Sequence, residues 1–354
     1  MKIAITCDHL IERMEVTSYV EALLALYPKA ELFTFVHNAG KILGDIEHHK
    51  IHSTFLTHKV KSLNSFDKSR YLLPSTQKNF AVPCSFDLIF NISTGFSQSI
   101  QKCKDTKQIT YLLNWPFDGE NLPWKQKLFR KYLENWALKG LSQADEIWVA
   151  RPSLAEKCRS YFPEKKIKPV MPFFNLDDYP IIPSSHWKHD VLLISTEGIT
   201  SSFALKLYEK LKTNNVKFLF VGLDNHLEMA KKTINNESYF YGQKCAGDLA
   251  PLMASCLGAI DFSNSLLPGL GVRALAAGRP VALLKNGDYE KQLDQNELFW
   301  LADQSVDSVL SFLKELETKT IDANKLRRCV LKFNPASFKT KVKNSLASLE
   351  SVFN

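Results

Sequence analysis

Met1–Val36 reads MKIAITCDHLIERMEVTSYVEALLALYPKAELFTFV. Its first stretch, Met1–Cys7, is apolar and rich in β-formers, which predicts a central strand. Asp8 and His9 end that stretch at once, so it reads as a buried strand and not as a signal peptide. From Val16 to Tyr27 the period changes: Val20, Leu23, Leu24 and Tyr27 recur at helical spacing, and Pro28 stops the helix. Glu31–Val36 is the next strand. Strand, loop, helix and strand in this order open a doubly wound parallel sheet.

The same alternation continues outward. Asp87–Ile92, Gln108–Leu113, Glu146–Ala150 and Lys168–Phe174 are further strand candidates. Prolines 169, 172, 180 and 183 then punctuate a linker with little periodicity. Beyond it a second series begins, with strands at Asp190–Ser195, Lys217–Val221, Gly258–Phe262 and Pro280–Leu284 separated by helical stretches. Phe338–Phe353 reads as a last helix. The length of 354 residues also exceeds what one core usually supports. The expected architecture is α/β, with two Rossmann-like doubly wound domains facing each other across a ligand cleft. The expected domains are 1–175 and 176–335, with a terminal helix over 336–354.

Charge divides the chain unevenly. Residues 1–172 hold 24 Lys+Arg against 17 Asp+Glu, whereas the remainder holds 21 against 20. The basic excess of the first part suggests an anionic partner there: a membrane surface, a phosphorylated acceptor or nucleic acid. Nucleic acid is not expected, because the interleaved aromatic and basic array that stacks bases is missing. No apolar run reaches the length of a membrane span. The seven cysteines show no C-x-x-C spacing, so the expectation is reduced thiols in a cytoplasmic protein. Glu47, His48, His49, His52 and His58 form a histidine-rich patch whose spacing fits no standard metal site. No metal or cofactor is expected.

Two segments draw functional attention. In Pro123–Leu141, Leu128, Tyr132, Trp136 and Lys139 share one helical face, and five basic residues stand against Glu134. Such a face packs on a sheet or lies on an anionic membrane. In Asp261–Leu284, DFSNSLLPGLGVRALAAGRPVALL, a strand runs into a glycine-containing loop and a helix start. Glycines let backbone approach a ligand, and the helix start favours an anion such as a diphosphate. The same glycines also serve a tight turn.

These segments resemble the bacterial retaining glycosyltransferases of family 4, which have the GT-B fold. The likeness starts at Met1–Val36, continues through SQADEIWVARPSLAEK, and runs through LGAIDFSNSLLPGLGVRALAAGRPVALL to the last helix. In that family the last helix crosses back to the first domain. The family's cleft histidine falls at or beside Asn114, and its Gly-Gly loop on Met14 and Glu15. Its paired glutamates fall on Ser265 and Arg273. Its Arg and Lys pair would lie in Ser195–Phe203, STEGITSSF, which has no basic residue. Gly269, Gly271, the A-x-A-A-G stretch and Pro280 keep the pattern.

The resemblance implies hexosyl transfer from a nucleotide sugar to a surface-polysaccharide, lipopolysaccharide or lipid-linked acceptor. It implies work at the cytoplasmic face of the inner membrane, with peripheral attachment. The donor would lie on Ser265, Gly269, Leu270, Gly271 and Arg273, and the acceptor near Asp8, His9 and Glu15. Asn114 and Glu197 are the candidate catalytic residues, Glu197 as a replacement for the glutamate that holds donor hydroxyls. Arg273 cannot accept those hydroxyl bonds, but it can pair with a phosphate. The alternative is a degenerate homologue that binds a partner glycosyltransferase or a glycan.

Overall fold

A computed structural model of the chain describes residues 1–116, 124–182, 190–222, 224–242, 244, 246–263, 269–285 and 287–353. The chain divides into two compact units, Met1–Pro172 with Pro335–Asn354, and Phe173–Asn334.

In the N-terminal unit β1 (Ile3–Leu10), α1 (Glu15–Leu26) and β2 (Glu31–His37) follow one another. Then come β3 (Ile51–Ser53), α2 (Leu56–Lys59), α3 (Leu63–Ser69), α4 (Leu73–Gln77), β4 (Leu88–Ser93) and β5 (Lys107–Leu112). α5 (Trp124–Ser142), β6 (Glu146–Val149), α6 (Pro152–Tyr161) and β7 (Lys166–Pro169) complete the series. The seven strands are parallel, in the order β3-β2-β1-β4-β5-β6-β7. Helices on a parallel sheet bury both faces of its central strands, which is why these read as continuous apolar runs. All six residues of β4 are buried. Its polar Asn91 donates to Thr6 Oγ1 (2.6 Å) and Ser97 Oγ (2.9 Å).

The second unit contains β8 (Val191–Ser195), α7 (Ser201–Thr213), β9 (Lys217–Val221), α8 (Glu228–Ile234) and β10 (Phe240–Gly242). α9 (Ala246–Ser255), β11 (Cys256–Asp261), α10 (Leu270–Ala276), β12 (Val281–Leu284), α11 (Gly287–Gln292) and β13 (Phe299–Leu301) follow, with α12 (Val306–Thr318) and α13 (Ala323–Arg328) after them. Its sheet is again parallel, ordered β10-β9-β8-β11-β12-β13. Arg327 pins the stretch before β8: its guanidinium donates to the carbonyls of Tyr179, Ala276 and Leu176 at 2.5–2.9 Å. α14 (Pro335–Phe353) belongs to the N-terminal unit. There Phe338 packs edge-on to Tyr19 (5.5 Å between centroids), and Lys341 Nζ donates to the Pro169 carbonyl at 3.0 Å.

Several expectations are corrected. The strand expected at Lys168–Phe174 lies earlier, at Lys166–Pro169, because Pro169 and Pro172 have no N–H to donate to a ladder. α5 buries Leu133, Ala137 and Leu141, while Tyr132 and Lys139 of the expected stripe are exposed and Trp136 is half-buried. The Leu128 side chain lies outside the described residues. Gly140 sets this choice of face. A Cβ there would stand 2.7 Å from the Ser99 Cα, so only a glycine lets α5 cross the Ser97–Ser99 turn this closely.

The cysteines are also corrected. Cys84 and Cys103, 19 residues apart, form a disulfide with a Cα–Cα separation of 5.2 Å. The parallel pairing of β4 with β5 brings the segments before the two strands side by side, which linear spacing does not reveal. Cys7, Cys158, Cys256 and Cys329 are free thiols, and Cys245 lies outside the described residues. The thiol argument for a reducing compartment therefore falls.

Candidate functional site

In each sheet the chain winds outward in both directions from one strand pair, β1/β4 in the first unit and β8/β11 in the second. Doubly wound sheets bind ligands at such switch points, beyond the carboxyl ends of the strands. Most of the described candidate residues lie at these edges.

At the β1/β4 edge Asp8 is 1% exposed. Its Oδ2 accepts from Thr94 N (2.5 Å) and Thr94 Oγ1 (2.8 Å), and its Oδ1 from Phe96 N (2.9 Å) and Ser97 N (2.7 Å). Burial pushes this carboxyl above its ordinary value, against the pull of the four donors. Asp8, expected at the acceptor, is thus engaged in holding the turn after β4. Its neighbour His9 packs edge-on to Phe66 (4.7 Å), and its buried Nδ1 has no hydrogen-bond partner among the described residues. Burial, and secondly the Arg70 guanidinium, push the imidazole down to about 4, so it is neutral at pH 7. Glu15 is the first residue of α1, in the loop-to-helix step after β1. Asn114 lies just beyond β5, where its Oδ1 accepts from Arg151 Nη2 at 3.3 Å.

At the β8/β11 edge Glu197 is exposed two residues after β8, and its backbone N–H donates to Ser195 Oγ at 3.2 Å. Gly198 follows with φ of 78°, where a Cβ would lie 2.6 Å from the Phe262 carbonyl oxygen, so only glycine fits this turn. Thr200 caps α7 by accepting from Phe203 N (3.3 Å).

Asp261 ends β11 fully buried. Its Oδ1 accepts from Ser263 N (2.9 Å), and its Oδ2 from Gly271 N and the Tyr289 hydroxyl (both 3.1 Å). Burial raises the Asp261 carboxyl and holds the Tyr289 phenol well above its ordinary value. This changes the reading of the glycine loop. A Cβ on Gly271 would stand 2.9 Å from Leu283 Cδ2 and 3.2 Å from Asp261 Cβ. What approaches the backbone closely here is a protein carboxylate, and one amide at the start of α10 is satisfied internally. Leu270 is 7% exposed, while Gly269 and Arg273 are half-buried at the same helix start. Ser265 lies outside the described residues.

Sequence reasoning missed Asp261 and Tyr289 as a pair, and Arg151 beside Asn114. The available signal is a carboxylate at or near the carboxyl end of a buried strand: Asp261 ends β11, and Asp8 lies two residues before the end of β1, which runs past the expected break at Asp8 and His9 to Leu10. Among the described residues no group of three or more His, Cys, Asp or Glu is placed to hold a metal.

No protein-family model matches the sequence, and no curated sequence matches it significantly. Solved structures do match over nearly the whole chain. Sucrose-phosphate synthase from Thermosynechococcus elongatus aligns over 99% of this chain and 100% of its own, with TM-score 0.74 and 13% identity. Anabaena HepE, solved in complex with UDP and glucose, aligns over 98% and 100%, with TM-score 0.66 and 14% identity. The lipopolysaccharide outer core galactosyltransferase WaaB aligns over 98% and 99%, with TM-score 0.62 and 13% identity. With two parallel doubly wound sheets and these matches, the chain shares the fold of the GT-B glycosyltransferases.

Proposed function

We propose that the chain is a retaining glycosyltransferase, akin to family 4, that moves a hexose from a nucleotide sugar to a surface-polysaccharide or lipid-linked acceptor. The observation that carries this reading is the pair of doubly wound sheets in a fold whose solved members include a protein holding UDP and glucose. Glycosidic transfer breaks the bond from the anomeric carbon to the diphosphate and forms one to the acceptor oxygen on the same face. Such a reaction asks mainly for positioning and for stabilisation of the leaving diphosphate. In this reading Gly269, Leu270, Gly271 and Arg273 face the diphosphate, with the Arg273 guanidinium offsetting its charge. Glu197 accepts hydrogen bonds from sugar hydroxyls. His9, Glu15 and Asn114 line the acceptor side, and the neutral His9 ring can exchange hydrogen bonds with a hydroxyl.

A second reading has specific support. Ser195–Phe203 contains no lysine or arginine, and the Gly271 amide is occupied by Asp261. Both features suit a degenerate homologue that binds a partner transferase or a glycan without turnover.

Thermal stabilisation by a panel of nucleotides and nucleotide sugars separates the two. A ligand that binds only the native state at 100 times its Kd adds about 2.7 kcal/mol. The transferase reading expects one nucleotide to raise the Tm and Arg273→Ala to abolish the shift. No shift with any member at millimolar concentration would favour the degenerate partner.

A further inference from the structure

A buried polar atom without a partner is costly and rare, so each one asks for a reason. Asn91 and Gln108 each leave an oxygen unpaired but spend their NH2 groups elsewhere. His9 and Asn38 differ. His9 Nδ1 and Asn38 Oδ1 are buried and unpaired, and neither side chain makes any hydrogen bond among the described residues.

The two stand on one face of the first sheet. β1 and β2 run parallel with His9 opposite Val36. Asn38 N donates to the Leu10 carbonyl (2.8 Å), which carries the ladder one residue past β2. Side chains two residues apart share a face, so Asn38 lies on the face of Val36 and His9. α3 covers that face, with Phe66 against the His9 ring and in one core with Val36. The cover ends at the carboxyl edge. Asn38 is 8% exposed and His9 half-buried, but Ala39, Gly40 and Lys41 are exposed at once.

The charges nearby are already paired: Arg70 with Asp67 at 2.5 Å, and Asp8 with its four donors. What remains is a neutral imidazole and an amide. Each can both donate and accept, and the group that does the same is a hydroxyl. We propose that His9 and Asn38 form a subsite for two hydroxyls of a neutral sugar, which in the transfer reading is the acceptor. The term acceptor rests on that reading; the subsite does not. An apolar residue of similar shape would suit the free protein better than an orphaned amide, and that stability is what a binding residue gives up.

The test starts from the free protein. Asn38→Leu should raise the Tm by about 2–4 °C, and the smaller Asn38→Ala should not lower it. The His9 ring signals in proton–nitrogen NMR spectra are identified by their loss in His9→Gln. Methyl glucoside, galactoside or mannoside should move them in the wild type and leave them in place in Asn38→Leu, with glycerol as the control. A Tm lowered by both Asn38 variants overturns the proposal, because the side chain is then bonded within the fold. So do ring signals that no methyl hexoside moves, or that glycerol moves equally. Failure of the transfer reading looks different: no nucleotide raises the Tm, while a hexoside still moves the His9 signals.

Discussion

Asp261→Asn is the substitution that most directly tests how the glycine loop is built. Asp261 Oδ1 serves the Ser263 amide, and Oδ2 serves both the Gly271 amide and the Tyr289 hydroxyl. An asparagine has the same shape but replaces one acceptor with an NH2 group. Turned one way, the NH2 meets the Ser263 N–H; turned the other, it meets the Gly271 N–H. The Tyr289 hydroxyl can rotate to accept, but a backbone amide cannot. One buried amide is therefore left unpaired in either orientation, at a cost of about 1–3 kcal/mol. Removing a charge whose burial is unfavourable offsets part of this, leaving about 1 kcal/mol. For a domain of this size that lowers the Tm by roughly 2–4 °C. Scanning calorimetry reads the loss, and hydrogen exchange at the Gly271 amide reports the opening of the α10 start. If the Tm stays within about 1 °C and Gly271 exchange is unchanged, Asp261 does not hold this loop and the amide is available to a ligand after all.

Two further perturbations follow from the N-terminal unit. His9 is held down to about 4, below its unfolded value near 6.5, so between these pH values the unfolded chain takes up a proton that the folded chain refuses. Stability should fall by up to about 3 kcal/mol as pH drops through this window, and His9→Gln should flatten the slope; an equal slope in wild type and variant in urea melts would place the titration elsewhere. The Cys84–Cys103 disulfide closes a loop spanning 19 residues of sequence separation, so reducing it should cost about 3 kcal/mol in the N-terminal unit. Alkylation of the denatured, unreduced protein should then label at most five of the seven cysteines, and seven adducts would refute the pairing.

The sequence alone determined the architecture. β1, α1 and β2 are legible because their order follows from local period: an apolar run, then helical spacing, then a second run. The same holds for β4, β5, β6, β8, β9, β11 and β12, since strands buried on both faces leave continuous apolar stretches that no alternation obscures. Short elements were not legible. α2, α3 and α4 have four to seven residues each and owe their helicity to packing, as Phe66 and Leu73 in the core show. The choice of face on α5 was not legible either, because two stripes have helical spacing and the Gly140–Ser99 approach selects between them. Nor were the partners of the buried carboxylates. Asp8 bonds amides 86 to 89 residues away, and Asp261 reaches Tyr289 across 28 residues. Such pairings depend on which strands become neighbours. Local period predicts that a strand forms, but only closure of the sheet decides what the residues at its carboxyl end touch. For that reason the glycines of Asp261–Leu284 were visible in the sequence, whereas the carboxylate that occupies them was not.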